Sequence, residues 1–405
     1  MSDAAPIFMI NTPVTLSLAI VVLWLGLRVN QWVSVLGRLN IPAGVTGGLP
    51  ASALVAVIEL ISGWDIRFEL VLRDLLLIVF FSTVGLSARL RQMLEGGKAL
   101  ALMLGLAVLL LLFQNLAGTL VALISGESPL YGLIGGSVSL AGGHGTALTW
   151  GQLFEEHFGL ANAQSMGMTF ATVGLISGGL IGGPVGAWLV GHYRLAPGGE
   201  DGRLPNAAAR TKEITYLIEL NSLLRAVLLI ALCFALGSVI YDWLSGLEIR
   251  LPAFLTAMFL GILLTNGLEL FRVEVDHRPI QLMGDLSLQL FLGMSLISLP
   301  LLALQGAVGL ISLVMVLQAM VITTFTIWVV FPLLGRDYDA ACISSGFIGM
   351  GLGATPVGIA NVNALTSRYG PSPKAYLVIP LLGAFFIDIA NATLVQLLLG
   401  SGWFG

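Results

Sequence analysis

Long apolar stretches without a single charged residue are the feature that most restricts how this chain can fold. The stretches 14–27, 99–123 and 301–334 contain no Asp, Glu, Lys or Arg, and the last two exceed the roughly 20 residues that a membrane-spanning helix needs. Charged residues make up only 10% of the chain, against about 25% in a soluble domain. We therefore expect an all-α polytopic membrane protein.

The apolar stretches predict ten spans. No Lys or Arg precedes the first one, so we expect it to be retained rather than cleaved as a secretory signal. The two cysteines, Cys233 and Cys342, form neither a metal-binding spacing nor a disulfide framework. The predicted spans are 7–27, 42–62, 70–88, 99–124, 164–191, 214–243, 252–271, 280–299, 302–334 and 374–399.

A polar connection at 192–213 divides the chain into two similar halves. Pro252 lies 210 residues after Pro42, each between an aliphatic residue and an alanine, and Asp285 lies 211 residues after Asp74 in a repeated Asp-Leu-x-Leu-x-x-Phe pattern. Several echoes in one order indicate an internal duplication. We expect an N-terminal repeat at 1–191, a linker at 192–213 and a C-terminal repeat at 214–405.

The distribution of basic residues predicts the orientation of the two repeats. Because each repeat has five spans, an odd number, the copies must have inverted topologies. With both termini outside, fourteen of the eighteen Lys and Arg residues fall on the inner side, where basic residues prefer to lie. This predicts periplasmic termini and a cytoplasmic linker. Inverted repeats are the usual plan of secondary transporters.

Each repeat carries a Gly-rich segment between its fourth and fifth spans, at about 130–158 and about 340–366. Neither segment is long and apolar enough to cross the membrane alone. Irregular backbone at membrane depth is tolerated where protein or a water-filled cavity satisfies its polar groups. We therefore expect two re-entrant loops that enter from opposite sides and meet near the middle.

The tips of these loops are the predicted substrate site. Glycines let backbone N–H groups approach a ligand, and helices starting after the tips would direct their positive ends at an anion. His144 belongs either to this pocket or to the interior as a neutral structural residue. The predicted substrate-binding residues are Gly142, Gly143, His144, Gly145, Thr146, Gly353, Ala354 and Thr355.

A sodium site is predicted from oxygen-bearing side chains near the second loop and in the last span. Asp388 is an ionisable residue in an apolar span, which is more often functional than structural, and Asn391 follows one turn later on the same helix face. Asn361 and Asn363 would join them as ligands, although a turn or capping role also fits both. A sodium ion prefers such oxygen ligands.

A stripe of glycines marks the fifth predicted span. Gly174, Gly178, Gly182 and Gly186 recur at every fourth position. Such small-xxx-small spacing is typical of close contact between membrane helices. The stripe therefore predicts packing rather than ligand binding.

Several motifs resemble those of the sodium/glutamate symporter family. They are GGHGT at 142–146, GLGATP at 351–356, GAFFIDIAN at 383–391, IPAGVTGGL at 41–49, RDLLLIVFFSTVGL at 73–86 and SRYGPS at 367–372. The resemblance implies sodium-driven uptake of L-glutamate across the bacterial inner membrane. It also implies two inverted halves with a re-entrant loop each, a homodimer with elevator-like movement, and no cofactor beyond the co-transported sodium ions.

The charge of the substrate predicts the coupling. L-Glutamate carries a net charge of −1, and moving it toward a negative interior costs about 2.3 kcal/mol per 100 mV. Two or more sodium ions per glutamate would make uptake electrogenic and voltage-assisted. The alternative is a proton- or sodium-coupled transporter of another dicarboxylate or hydroxycarboxylate. An intramembrane enzyme is disfavoured because no G-x-S-x-G or H-E-x-x-H pattern occurs, and no nucleic-acid partner is expected.

Overall fold

The computed structural model describes residues 6–33, 36, 41–89, 97–197, 219–246, 252–273 and 275–401. This part of the chain is almost entirely helical, and eight of its helices are long and apolar enough to cross a membrane. The prediction of a helical, multi-pass membrane protein is therefore confirmed. Residues 198–218, which include most of the predicted linker and the start of the sixth span, lie outside the described residues.

The helices of the first half are α1 Thr12–Trp32, α2 Ala43–Ser62, α3 Val71–Ser87, α4 Gly97–Ile124, α5 Pro129–Leu133, α6 Gly143–Phe158 and α7 Ala163–His192, with a π-helical turn at Ile134–Val138 between α5 and α6.

The helices of the second half are α8 Leu220–Gly246, α9 Ala253–Leu270, α10 His277–Ile297, α11 Val308–Phe325, α12 Phe331–Leu333, α13 Tyr338–Leu352, α14 Thr355–Tyr369, α15 Pro373–Leu381 and α16 Ile387–Gly400. A 3₁₀ helix at Leu301–Ala307 precedes α11, and π-helical turns occupy Thr326–Val330 and Leu382–Phe386.

The all-α prediction is wrong in one detail, because two short strands pair in parallel. They are β1 Ile7–Ile10 and β2 Asp65–Phe68. The first predicted span, 7–27, therefore begins with a strand, and its helix runs over Thr12–Trp32 instead. The side chain of Asn11 accepts a hydrogen bond from the amide of Val14 and caps the start of α1. Such a cap fixes a helix start that hydropathy alone does not locate.

Two of the ten predicted spans are not single long helices. The span predicted at 70–88 is α3, with 17 residues. The span predicted at 374–399 is α15, a π-helical turn and α16, with Pro380 inside α15. Proline removes a backbone donor, and π-helical turns recur at functional sites. The last predicted span is therefore interrupted directly before the helix that carries Asp388.

The helices form two bundles, and each bundle draws on both halves of the chain. We call α1, α2, α3, α8, α9 and α10 the first bundle, and the remaining helices the second bundle. Within the first bundle, α3 packs on α9 and α10, and α2 packs on α1 and α10; within the second, α7 packs on α6, α13 and α14, and α4 packs on α11. The first bundle thus contains the first three predicted spans of each half.

Equivalent positions of the two halves make reciprocal contacts in the first bundle. A Cβ atom on Gly85 of α3 would meet the backbone carbonyl of Met258 in α9, and one on Gly48 of α2 would meet the side chain of Leu296 in α10. Met258 lies 210 residues after Gly48, and Leu296 lies 211 residues after Gly85. The same pair of repeated positions therefore makes contact twice, and in both contacts the glycine belongs to the first half and its partner to the second.

The two Gly-rich segments form helical hairpins. Hairpin 1 is residues 129–158, and hairpin 2 is residues 338–369. The hydroxyl of Tyr131 donates to the carbonyl of Ala161 at 2.8 Å, and the hydroxyl of Tyr338 donates to the carbonyl of Gly370 at 2.5 Å. Because these bonds join the beginning of each hairpin to the residues just after it, both ends of each hairpin lie together and its tip points away from them.

The glycine stripe of α7 packs against hairpin 2. A Cβ atom on Gly174 would meet the backbone of Leu352, and one on Gly178 would meet that of Gly349. One on Gly186 would meet the side chains of Ser345 and Leu365. The prediction of a close helix–helix contact is confirmed, and it fixes hairpin 2 against the fifth span of the other half.

Candidate functional site

The tips of the two hairpins lie close to one another. A Cβ atom on Gly143 would lie 3.6 Å from the carbonyl oxygen of Gly353. The helix α6 begins at Gly143 and α14 begins at Thr355, so each helix starts at its tip, as expected from the sequence. First-turn amides have no acceptor within their own helix, and helix N-termini favour negative charge. Two such ends therefore lie next to one another.

The conformation of Gly143 explains why a glycine occupies the tip. Its φ of +70° lies in the left-handed region, which other residues adopt at a cost of roughly 1–2 kcal/mol. Its neighbour Gly142 has no room for a side chain, since a Cβ atom there would lie 2.7 Å from the side chain of Thr146. The hydroxyl oxygen of Thr146 is buried, and it has no hydrogen-bond partner within the described chain.

His144 is buried and hydrogen-bonded to the fifth span. Its Nε2 lies 3.0 Å from Oγ1 of Thr172, and the Thr172 hydroxyl donates its single hydrogen to the carbonyl of Met168 at 2.8 Å. Thr172 must then accept from His144, which assigns the proton of a neutral ring to Nε2. Nδ1 consequently carries a lone pair, and among the described residues no donor reaches it.

Gly145 brings the tip of hairpin 1 against the first bundle. A Cβ atom on Gly145 would lie 2.8 Å from the ring of Phe81 and 2.9 Å from the side chain of Leu77, both in α3. The Phe81 ring in turn stacks on Phe254 of α9, with centroids 4.0 Å apart. The tip therefore packs against apolar side chains of the first bundle, and Gly145 forms no hydrogen bond with Phe81 or Leu77.

The tip of hairpin 2 is held by α7 and by the last predicted span. A Cβ atom on Gly353 would lie 2.8 Å from Cα of Leu175 in α7. Ala354 has extended backbone, with φ −171° and ψ 162°. The hydroxyl of Thr355 donates to the carbonyl of Gly383 at 2.9 Å. Gly383 lies in the π-helical turn that interrupts the last span.

The same span also touches hairpin 1. The hydroxyl of Ser137 donates to Oδ1 of Asn391 at 2.5 Å, and Nδ2 of Asn391 donates to the carbonyl of Ser137 at 3.0 Å. Asp388 lies between the contact at Gly383 and the contact at Asn391, is partly buried, and has no hydrogen-bond or ion-pair partner among the residues that the structure describes. The segment 383–391 therefore links both hairpins and carries an unpaired carboxyl.

The structure does not bring the other two predicted sodium ligands into these contacts. Nδ2 of Asn361 donates to the carbonyls of Gly178 at 3.0 Å and Ser345 at 3.3 Å, so its amide joins hairpin 2 to α7. Asn363 is exposed and accepts a 2.6 Å hydrogen bond from the hydroxyl of Tyr376. Neither makes a described bond with the residues around Asp388.

Two glutamines that the sequence analysis did not select bind the hairpins reciprocally. Nε2 of Gln114 in α4 donates to the carbonyl of Gly351 in hairpin 2 at 2.7 Å. Nε2 of Gln318 in α11 donates to the carbonyl of Gly135 in hairpin 1 at 3.2 Å. Each fourth span thus holds the hairpin of the other half. Each glutamine is a polar amide inside an uncharged apolar stretch, and this sequence signal could have identified both residues.

Within the described residues no group of three or more His, Cys, Asp and Glu side chains is placed to hold a metal ion. The span that contacts both hairpins instead carries the Asp388 carboxyl, the Asn391 amide and backbone carbonyls such as that of Gly383. Oxygen groups of this kind suit a hard cation rather than a transition metal.

Comparisons with known proteins identify the family of this chain. A family model described as "Sodium/glutamate symporter" matches residues 8–371. The sodium/glutamate symporter of Escherichia coli K12 is 39% identical over 393 residues, which cover 97% of this chain and 98% of the relative. That of Haemophilus influenzae is 36% identical over 389 residues, 95% of this chain and 96% of the relative. This chain belongs to the sodium/glutamate symporter family, a family of transporters rather than enzymes.

Proposed function

We propose that this protein takes up L-glutamate by secondary active transport coupled to sodium. Membership of the family and the names of the relatives support the substrate and the ion. The single observation that carries the mechanism is the proximity of the hairpin tips at Gly143 and Gly353. It brings together two helix N-termini, which suit an anion, while the Asp388 carboxyl, in the span that contacts both hairpins, suits a cation.

The substrate site of this proposal lies between the tips. Backbone amides of Gly143, His144 and Gly145 bind a carboxylate of glutamate, and the buried Thr146 hydroxyl donates to it. The tip of hairpin 2, at 353–355, binds the other side of the molecule. The lone pair on Nδ1 of His144 accepts a hydrogen from the ammonium group of glutamate. This distribution matches the two negative groups and one positive group of the substrate.

The sodium site of this proposal lies along the segment 383–391. The Asp388 carboxylate and Oδ1 of Asn391 supply ligands, and the contacts of this segment at Thr355 and Ser137 transmit sodium binding to both hairpins. Sodium then orders the substrate site before glutamate binds. In this proposal Asn361 and Asn363 position α14. Asn361 holds hairpin 2 against α7, and Asn363 accepts a hydrogen bond from Tyr376 in α15.

The repeats in this proposal are inverted, and both hairpins are re-entrant. The boundaries are 1–191 and 214–405, with a cytoplasmic linker at 192–213 and periplasmic termini, in the bacterial inner membrane. The reciprocal contacts of Gly85 with Met258 and of Gly48 with Leu296 support two copies related by a pseudo-twofold axis. Basic residues at the inner ends of the spans support the orientation.

Labelling from either side of the membrane tests this topology. The exposed residues Glu127 and Arg368 lie at the bases of hairpin 1 and hairpin 2. We expect a membrane-impermeant thiol reagent to label Glu127→Cys only from the periplasm and Arg368→Cys only from the cytoplasm. The native Cys233 and Cys342 are buried and provide the unlabelled background. Labelling of both positions from the same side would reject inverted repeats.

Movement of the second bundle along the first, in the manner of an elevator, provides alternating access in this proposal. The apolar support of the Gly145 tip by Phe81 and Leu77 is compatible with sliding, since no directional bond of Gly145 to either residue must break. Leu60 in α2 and Leu397 in α16 are 68% and 66% exposed. Spin labels attached to Leu60→Cys and Leu397→Cys measure the distance between the two bundles. We expect the distance distribution to shift when sodium and glutamate are added. An unchanged distribution contradicts the elevator.

The coupling is electrogenic, and the transporter is a homodimer. The homodimer is supported by the family resemblance, and light scattering of the purified protein measures it directly. An inside-negative potassium diffusion potential should accelerate glutamate uptake into proteoliposomes if at least two sodium ions accompany each glutamate. Uptake that is indifferent to the potential would reject electrogenic transport.

Competition measurements test the substrate. We expect L-glutamate to displace bound labelled glutamate from the purified protein at far lower concentrations than L-aspartate or citrate, and only when sodium is present. Stronger displacement by citrate, or displacement driven by pH without sodium, would favour the alternative class of dicarboxylate or hydroxycarboxylate transporters.

A further inference from the structure

A basic cavity at one end of the first bundle plays no part in the proposed transport site. Its volume is about 420 Å³, and it lies where α3 and α9 end and α10 begins. Both halves of the chain contribute to it. The lining residues are Arg89, Thr265, Glu269, Arg272, Val273, Val275 and His277.

Side-chain hydrogen bonds hold the residues around this cavity in place. The hydroxyl of Thr265 donates to the carbonyl of Leu86 at 2.7 Å, and Nδ2 of Asn266 donates to the carbonyl of Ala88 at 2.8 Å. These bonds hold the end of α3 against α9 and fix the backbone next to Arg89. Nε of Arg89 then donates to Nε2 of His277 at 3.1 Å. The bond orients the Arg89 side chain, and no described residue forms a hydrogen bond with its two terminal amino groups, which can therefore bind a ligand.

The two arginines of the cavity differ from Arg67 and Arg278. Arg67 and Arg278 each pair with a nearby aspartate, at 2.8 Å and 2.9 Å. Across the described ranges, no ion pair within 4.0 Å joins Arg89 or Arg272 to a carboxylate, although Glu269 lines the same cavity. Among the described residues that line it, the cavity thus presents two guanidinium groups and one carboxylate. A guanidinium fork matches the geometry of phosphate oxygens.

Exposed apolar side chains lie next to Arg272 in the sequence. Leu270, Phe271 and Val273 are 80%, 79% and 51% exposed, and Val273 also lines the cavity. A soluble anion would gain nothing from these side chains. A lipid would bury them with its acyl chains while its headgroup reached the arginines, and basic pockets between membrane helices are known to take anionic headgroups.

We propose that this cavity binds the phosphate headgroup of an anionic phospholipid. Arg89 and Arg272 bind the phosphate oxygens, and the exposed side chains of Leu270 and Phe271 contact the upper acyl chains. The occupied site would join the end of α3 to α9 and α10 and so stabilise the first bundle. This inference concerns lipid binding alone and does not depend on the identity of the transported substrate.

Native mass spectrometry of the purified protein tests the proposal with three probes: phosphatidylglycerol, phosphatidylcholine and inorganic phosphate. We expect phosphatidylglycerol to bind at least about tenfold more tightly than phosphatidylcholine, since a lost charged hydrogen bond costs about that factor or more. Inorganic phosphate at millimolar concentration should not displace the lipid. Equal binding of both lipids, or displacement by inorganic phosphate, would overturn the lipid site.

Variants separate this cavity from general lipid adhesion. Arg89→Gln with Arg272→Gln should remove the preference for phosphatidylglycerol, while Arg272→Lys, which keeps the charge, should retain most of it. The control Arg67→Gln removes an arginine that is already paired with Asp65 and should leave the preference unchanged. If the double variant unfolds, the comparison of Arg272→Gln with Arg272→Lys decides the question. A preference that survives in Arg272→Gln at wild-type strength contradicts the proposal.

Discussion

Gln318 donates a hydrogen bond from Nε2 to the backbone carbonyl oxygen of Gln114 at 2.8 Å. This bond joins the fourth spans of the two halves inside the second bundle, where both side chains are fully buried. Gln114 also donates a hydrogen bond to hairpin 2, and Gln318 donates one to hairpin 1. The two glutamines therefore connect the hairpins to each other through the fourth spans. We therefore expect a movement of either hairpin to be coupled to a movement of the other.

Replacing Gln318 by leucine should impair transport and lower stability together. The variant leaves the carbonyls of Gln114 and Gly135 without this donor, and an unsatisfied buried group costs about 1–3 kcal/mol. We expect a lower unfolding temperature and at least a tenfold loss of uptake. Gln281→Leu is the control, since Gln281 is exposed in the first bundle. Wild-type uptake by Gln318→Leu would show that the hairpins do not depend on this contact.

Substitution of Gly143 separates a tip contact from backbone strain. Gly143→Ala places a methyl group against Gly353 and strains a residue with φ +70°, at a cost of roughly 1–2 kcal/mol. Gly159→Ala imposes similar strain at φ +64°, where no atom lies within 4 Å of the new methyl group. Both variants should lose similar stability, but only Gly143→Ala should lose glutamate binding. Equal glutamate affinity in the two variants would remove the tips from the binding site.

Neutralising Asp388 tests the sodium site. Asp388→Asn keeps the shape of the side chain and removes its charge, so the sodium concentration for half-maximal uptake should rise at least tenfold. Asp285→Asn is the matched control, because Asp285 is an exposed carboxyl within a span of the first bundle. A normal sodium dependence in Asp388→Asn would exclude this carboxylate as a ligand.

His144 and Thr172 should behave as one unit. His144→Ala should reduce uptake strongly while membrane insertion stays normal, because the ring contributes a lone pair at the tip. Thr172→Val removes the acceptor of the 3.0 Å bond to Nε2, so it should weaken glutamate affinity several-fold through misorientation of the ring. His192→Ala, an exposed histidine stacked on Trp188, serves as control. Wild-type uptake by His144→Ala would assign the histidine a purely structural role.

Much of the fold was predictable because apolar length and glycine spacing act locally. The runs that became α2, α4 and α7 were located within a few residues, and the glycine stripe of α7 predicted its packing. The strand at Ile7–Ile10 was not predictable, since its stability depends on pairing with Asp65–Phe68 more than fifty residues away. The break at Leu382–Phe386 was likewise hidden, because its sequence is as apolar as a regular span.

The candidate site was predictable in part for the same reason. Glycine clusters identified both hairpin tips, and an ionisable residue in an apolar run identified Asp388. The contacts that connect them involve residues in different halves, such as Ser137 with Asn391, and no local pattern reveals such a pair. Asn361 and Asn363 show the limit most clearly: two residues apart on α14, one is buried against α7 and the other is exposed.

Uptake of labelled L-glutamate into proteoliposomes tests the central claim most directly. Reconstituted protein is given an inward sodium gradient, or a potassium gradient of the same size as control. We expect concentrative uptake with sodium, none with potassium, and collapse of the accumulated glutamate when the sodium gradient is dissipated. Equal uptake with either cation would contradict the account.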